Sequence, residues 1–339
     1  DVVVLRGDVN TRPNQPLFVL DGVIGVDATT IMDLDPEQVE SITLLKDAAA
    51  TVIYGSEAAN GVVVVETKAP APGKLRFTYN GNYELQWPDL SVYDLMDAEE
   101  KLEYERMAGV FSTTSQLNYY NKYKEEILRG VDTYWLSEPL RTAVTHRHTL
   151  TMEGGDEALR YNLGINYSRE PGVMKESGRN SMGLNLSLQY RRKKWNIQNQ
   201  LSLTNVRGDN SPYGSFSQYT KLNPYNPVYD EDGEYIKLYY FDPLSGSSSD
   251  SKNQGNPLYN ATLSSFNKGR SKSFTNYLSM RWDIFKSFFI TGDMNVKMTE
   301  SWSKVYVSPD DSSFEGATLN KRGTYSFTNN EGTSWAGKF

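Results

Sequence analysis

From Lys74 onward the chain alternates between apolar and polar side chains. Leu75, Phe77, Tyr79, Gly81, Tyr83, Leu85 and Trp87 fall on one side; Arg76, Thr78, Asn80, Asn82, Glu84 and Gln86 fall on the other. A period of two places successive side chains on opposite faces of a strand, one face dry and one wet. The pattern returns over 159–168, with Leu159, Tyr161, Leu163, Ile165 and Tyr167 apolar, and over 182–191, with Met182, Leu184, Leu186, Leu188 and Tyr190. It is weaker over 195–204. It recurs over 274–284 and 288–298, mostly at even positions, and less regularly over 144–152, with a last strand expected around Trp335. These segments are long for a soluble sheet, whose strands run about five or six residues. They match the roughly ten-residue alternating segments of transmembrane β-barrels.

The connections sharpen that expectation. Short turns fall at 154–157, 191–194 and 283–287, and a medium loop at 170–178. Long insertions fall near 89–143, 207–271 and 300–322. Long and short links alternate, as in a barrel with tight turns on one side of a membrane and long loops on the other. On that reading the long insertions are extracellular. A large soluble sandwich or solenoid is the competing architecture.

The first 70 residues follow another pattern. An apolar run over 2–6 precedes a loop. Residues 16–21 read as a strand closed by the turn signal Asp21-Gly22, with 23–26 as its hairpin partner. Asp35, Pro36 and Gln38 mark a helix start, and 39–46 alternates with Ile42 and Leu44 on one face. Residues 45–68 then read as strand end, short helix, turn and strand. Asp47 can cap a helix over 48–54. Gly55 stands where a left-handed terminal residue is needed, and Asn60-Gly61 is a turn. Val62 to Val65 is a β-branched run suited to a strand buried on both faces. Taken alone, this stretch fits one βαβ unit of an ordinary α/β domain. The linker at 69–73, Ala-Pro-Ala-Pro-Gly, can continue neither helix nor central strand. The expected organisation is an α/β domain over 1–68, a linker over 69–73, and antiparallel barrel strands over 74–339.

Composition agrees with a barrel. Mean hydropathy is −0.58, yet 12% of the 339 residues are aromatic and 23 are Tyr. One polar face per strand lowers the mean, while aromatic girdles raise the ring count. Lys and Arg number 35 against 42 Asp and Glu, a net charge of −7. That balance lacks the basic field of a general nucleic-acid binder. With no cysteine, disulfides and thiolate metal sites are excluded. The chain opens on Asp1 inside an apolar run and is expected to be a mature or truncated piece.

Enzyme motifs are lacking: no H-E-x-x-H, G-x-S-x-G or Walker sequence occurs. His146 and His148 sit two apart, so a strand turns both rings to one side. That could begin a zinc site, but no third ligand is evident. Asp230, Asp232 and Glu234 have the spacing that opens a calcium loop. Tyr235 and Phe241 then occupy positions where that loop needs Gly and Glu, so a hairpin turn at Asp232-Gly233 is the simpler account. No cofactor or metal is expected. Residues 94–110 and 115–128 read as amphipathic helices, either a docking lid or a hairpin covering the rim. The 207–271 loop interleaves Tyr213, Phe216, Tyr219, Tyr225, Tyr229, Tyr239 and Tyr240 with amides and acids. Such rings can stack on sugars or peptides, or they can pack the loop on itself.

The residues at 16–22, 39–42 and 45–68 together resemble the plug of SusC/RagA-type TonB-dependent outer-membrane transporters of Bacteroidetes. Asp21, Gly22, Lys46, Asp47, Ile53-Tyr54-Gly55, Asn60-Gly61 and Thr67-Lys68 fall in that family's order and spacing. The resemblance implies a plug inside a 22-stranded barrel, of which seven or eight strands are present here. It implies import of oligosaccharides or peptides across the outer membrane. It also implies coupling to TonB through a preceding segment and a SusD-like surface lipoprotein as partner, in contact with outer-membrane lipid. A homodimer is allowed, and no nucleic acid is involved. An outer-membrane receptor that senses ligand, or a soluble β-rich glycan-binding protein, is the alternative.

Overall fold

The computed structural model describes residues 16–24, 26, 28–32, 34, 39–46, 54, 58, 60–68, 72–239 and 254–338. A small mixed sheet and a large antiparallel sheet organise them. The expected strand over 2–6, the helix start at 35–38, Asp47, Gly55 and Tyr240 lie outside the described residues.

The small sheet is built from β1 (Leu17–Leu20), β2 (Val23–Ile24), β3 (Val39–Leu45) and β4 (Val62–Thr67), with helix α1 (Ala28–Met32) between β2 and β3. Its order is β2-β1-β4-β3. β4 lies parallel to β1 and antiparallel to β3. The valine run buries both faces, as its composition requires. Val62 packs with Val19 and Ala58 on one side, and Val63 and Val65 pack with Phe18 on the other. The register Leu20↔Val23 leaves a two-residue loop. Asp21 (φ 49) and Gly22 (φ 88) both take left-handed backbone there, the geometry that suits the twist of a tight hairpin. Gly61 is left-handed as well, at φ 92. Ile42 and Leu44 do share a face of edge strand β3, but among the described residues nothing covers it, and they are 61% and 51% exposed.

The large sheet contains eight strands: β5 (Gly73–Gln86), β6 (Ala143–Gly155), β7 (Leu159–Pro171), β8 (Gly178–Arg192), β9 (Trp195–Asp209), β12 (Phe266–Phe285), β13 (Phe288–Val307) and β14 (Thr324–Lys338). A two-residue ribbon, β10 (Leu238–Tyr239) with β11 (Gln254–Gly255), lies in the loop between β9 and β12. Each long strand pairs antiparallel with the next. Tight turns at 156–158, 193–194 and 286–287 occupy one end. Links at 87–142, 172–177, 210–265 and 308–323 occupy the other. β12 and β13 span 20 residues each, well beyond the expected 274–284 and 288–298. Towards the long-loop end their outward positions become charged. The hydrophobic alternation fades there while the backbone ladder continues.

Within the first insertion, α2 (Ala98–Met107) and α3 (Thr114–Leu128) form a helical pair. The first starts later than the expected residue 94, because Asp97 and Glu100 make a reciprocal capping box that satisfies two free backbone donors at that point. Two short helices, α4 (Phe216–Tyr219) and α5 (Pro257–Thr262), lie in the second. No helix among the described residues is long and apolar enough to cross a membrane; this says nothing of strands.

Candidate functional site

The small sheet sits against the polar face of the large one. A cavity of about 350 Å³ lies between them, lined by Asp21, Thr67 and Lys68 on one side and by Asn80, Asn162, Gln200, Glu153 and Lys297 on the other. The alternation therefore has a physical partition. The polar set turns inward to the small sheet, and the apolar set turns outward.

The Asp21-Gly22 turn reaches the wall at Tyr277. Gly22 lies beneath Tyr277 of β12, so that a Cβ there would sit 3.4 Å from the phenolic oxygen. The backbone angle calls for glycine, and a Cβ would fit in ordinary contact with the ring while anything larger would press on it. The Tyr277 hydroxyl donates to Asp293 of β13 at 3.3 Å. Asp21 ties the hairpin to the end of β4: its carboxylate accepts from the Thr67 amide and from the Thr67 hydroxyl, each at 2.6 Å. Desolvation beside the wall pushes the Asp21 pKa up. The two Thr67 bonds oppose that shift, and Glu66 adds to it. Tyr277 was not singled out by sequence reasoning. Its signal was available, since from Asn267 to Asp283 it is the one aromatic residue at an odd, inward position of β12.

The other motif residues serve the small sheet itself. Tyr54 is half-buried against the Val19–Ala58–Val62 cluster. Asn60 precedes Gly61, whose amide donates to the Ala58 carbonyl and whose carbonyl accepts from Leu17, both at 2.9 Å. Lys46 is exposed at the end of β3.

At the long-loop end the insertions fold together. Ala98, Leu102, Phe111 and Tyr123 of the helical pair close around Tyr225 of the second loop. The Tyr225 hydroxyl donates to buried Glu105 at 2.9 Å. Trp135 donates to the Asn223 carbonyl at 2.9 Å and packs with Tyr219, Leu222, Tyr239 and Leu258. Three of the rings expected to meet a ligand lie in this core. Tyr219, Tyr225 and Tyr239 are at most 7% exposed, so their rings are already spent on the loop core. Burial pushes the Tyr219 and Tyr239 hydroxyls well above the usual phenol range. Tyr229 remains half exposed and stacks on Tyr235. The Tyr235 hydroxyl is raised to about 12 by its bond to Tyr229 and by burial. Tyr213 and Phe216 are half-buried at the surface of the cluster.

The two histidines lie on the outward face among rings. His146 and His148 approach to 3.2 Å, and the Tyr79 hydroxyl bonds His148 at 2.6 Å. Tyr83 and Tyr167 complete the group. At the opposite end Trp195 and Trp282 stack with centroids 5.2 Å apart. Rings at both ends with Leu, Ile and Met between them have the layout of the two aromatic girdles of a transmembrane barrel. No group of three or more His, Asp or Glu placed to hold a metal occurs among the described residues. The Asp230–Glu234 segment is a hairpin turn: Asp230 accepts from the amides of Asp232 and Glu234, and Gly233 is left-handed.

Comparison with known proteins agrees with this partition. Residues 1–62 match the TonB-dependent Receptor Plug Domain. The chain is 27% identical over 233 residues to the TonB-dependent receptor SusC of Bacteroides thetaiotaomicron, covering 66% of this chain and 22% of that protein. It is 33% identical over 177 residues to a TonB-dependent receptor of Formosa agariphila, 52% of this chain and 16% of that one. The chain thus spans about a fifth of these relatives' length. Among solved structures, the RagAB peptide transporter superposes with a TM-score of 0.74 at 20% identity, over 95% of this chain and 38% of that one.

Proposed function

We propose, from the premise that this chain is a plug-and-barrel segment of a SusC/RagA-type TonB-dependent transporter, that the complete protein imports an oligosaccharide or peptide across the outer membrane. The observation that carries this is the seating of the plug. It rests on polar wall residues around a cavity, with close contact at Gly22 and Tyr277. Contacts of that kind exchange readily for water, so a modest pull by TonB can shift the plug while its valine core stays folded. The wall crosses the membrane repeatedly, and the long insertions lie outside. The co-folded insertions form the rim on which a SusD-like lipoprotein closes. Tyr213, Phe216 and Tyr229 are the rings left on that rim to meet a ligand.

The test ties plug to wall. Cysteines placed at Lys68 and Glu153, which line one cavity, are joined by a flexible bismaleimide in cells expressing the complete protein. Uptake of labelled oligosaccharides and labelled peptides is then compared before and after joining. Loss of uptake of one class on joining supports the reading and names the substrate class. Unchanged uptake of both overturns it.

A further inference from the structure

The outward face carries a feature that import does not use. Its apolar band ends, towards the long loops, in a row of cations. Arg207 stands directly opposite Arg270 in the β9–β12 register. Arg207 pairs with Asn180, and Asn180 with Arg169. All three arginines therefore share the outward face at one level. Arg169 and Arg207 are exposed, and neither forms an ion pair among the described residues. Among the described residues Arg270 donates to the Asn205 side chain, at 2.7 Å. Lys272, one step nearer the band, pairs with Glu300 at 2.8 Å. Like charges directly opposite on neighbouring strands are destabilising, and a row of them calls for an anion.

The level of the row says which anion. Arg270 lies twelve residues along β12 from Trp282, and Arg207 twelve along β9 from Trp195. At about 3.4 Å per residue and a tilt near 40°, that is roughly 31 Å above the tryptophan girdle, just past an apolar band about 25 Å tall. Directly below the row, Ile165, Leu184, Leu203, Phe274 and Met298 line an open depression of about 810 Å³, whose charged margin is Arg270, Lys272 and the carboxylates of Glu300 and Glu331. We propose that this face is a binding site for a phosphate-bearing, acylated lipid of the outer leaflet. Its head phosphate bridges Arg169, Arg207 and Arg270, and its chains lie in the apolar depression. Guanidinium groups suit this role because their planar donor forks match phosphate oxygens in pairs. The inference rests on the wall being membrane-embedded and is independent of the substrate imported.

The test uses the complete transporter in nanodiscs of phosphatidylethanolamine doped with a bisphosphorylated, multiply acylated lipid or with its dephosphorylated form. Lipid retained after detergent extraction is counted by native mass spectrometry. Wild-type protein should retain the phosphorylated lipid and not the dephosphorylated one. R169Q/R207Q/R270Q should retain about tenfold less or lower still, the loss of roughly one charge-assisted hydrogen bond or more. R207Q alone, at an exposed position, should give an intermediate value, and heat-modifiable migration confirms that each barrel is folded. Equal retention of both lipids by wild type, or unchanged retention by the folded triple variant, overturns the proposal. So does conversion of a dimer to monomers without loss of lipid, which would assign the face to a second copy.

Discussion

The plug sheet and the barrel wall are both β-structure, yet they are held together differently. The plug excludes water from both faces of one strand: Val19, Val62 and Val65 are 0% exposed. The wall buries few side chains. The wall's continuity comes from the seven antiparallel backbone ladders that join its eight strands. A plug built this way can move as a body, because its core is its own. A wall built this way can face polar contents on one side and lipid on the other, because neither face has to form a core. The same alternation that would be a half-buried sheet in water becomes a partition here.

The largest effect should come from breaking the plug's core. Val65→Asp places an unpaired charge at a fully buried site and should cost more than about 3 kcal/mol. The plug should become protease-sensitive, while the barrel of the complete protein keeps its heat-modifiable migration. Next is the contrast between the two faces of one wall strand. Leu186→Arg, near the middle of the outward band, should destabilise by about 2–4 kcal/mol. Its inward neighbour Ser187→Arg should change folding little, and equal effects in a membrane-refolding titration would contradict the partition.

Gly22→Val probes the contact between the two regions. Left-handed backbone plus the Tyr277 ring should cost about 1–3 kcal/mol, read as faster hydrogen exchange confined to the hairpin. The smallest effect concerns Asp21. Its pKa is raised in the fold by desolvation, above the ordinary value of 3.8. Between those two values the folded plug holds more protons than the unfolded one, so its stability falls as pH rises through the window. Asp21→Asn should flatten that dependence in plug exchange rates. Retention of the full slope would place the titration elsewhere.

Much of this organisation was legible beforehand. Period-two alternation marked seven wall strands, less regularly over 144–152, and the eighth was expected only around Trp335. Asp21-Gly22 and Asn60-Gly61 marked turns through their tolerance of left-handed backbone. The valine run marked the plug's central strand. Strand ends were less legible. At the long-loop end Lys268, Arg270 and Lys272 of β12 and Glu300 and Lys304 of β13 interrupt the outward apolar set, and Val305 and Val307 fall on the inward side, so hydrogen bonding persists where the hydrophobic contrast has faded. The capping box at Asp97 and Glu100 overrode the longer apolar pattern that began at residue 94.

The chain's pattern by itself determined two regions, the faces of most wall strands and the rhythm of long and short links. Those follow from local rules: side-chain period, backbone preference and turn chemistry. Only the tertiary structure decided which tyrosines are spent in the loop core, that Gly22 lies under Tyr277, and that Arg169, Arg207 and Arg270 form one row. Each of these depends on register between segments far apart in sequence, and register is set by the pairing of whole strands.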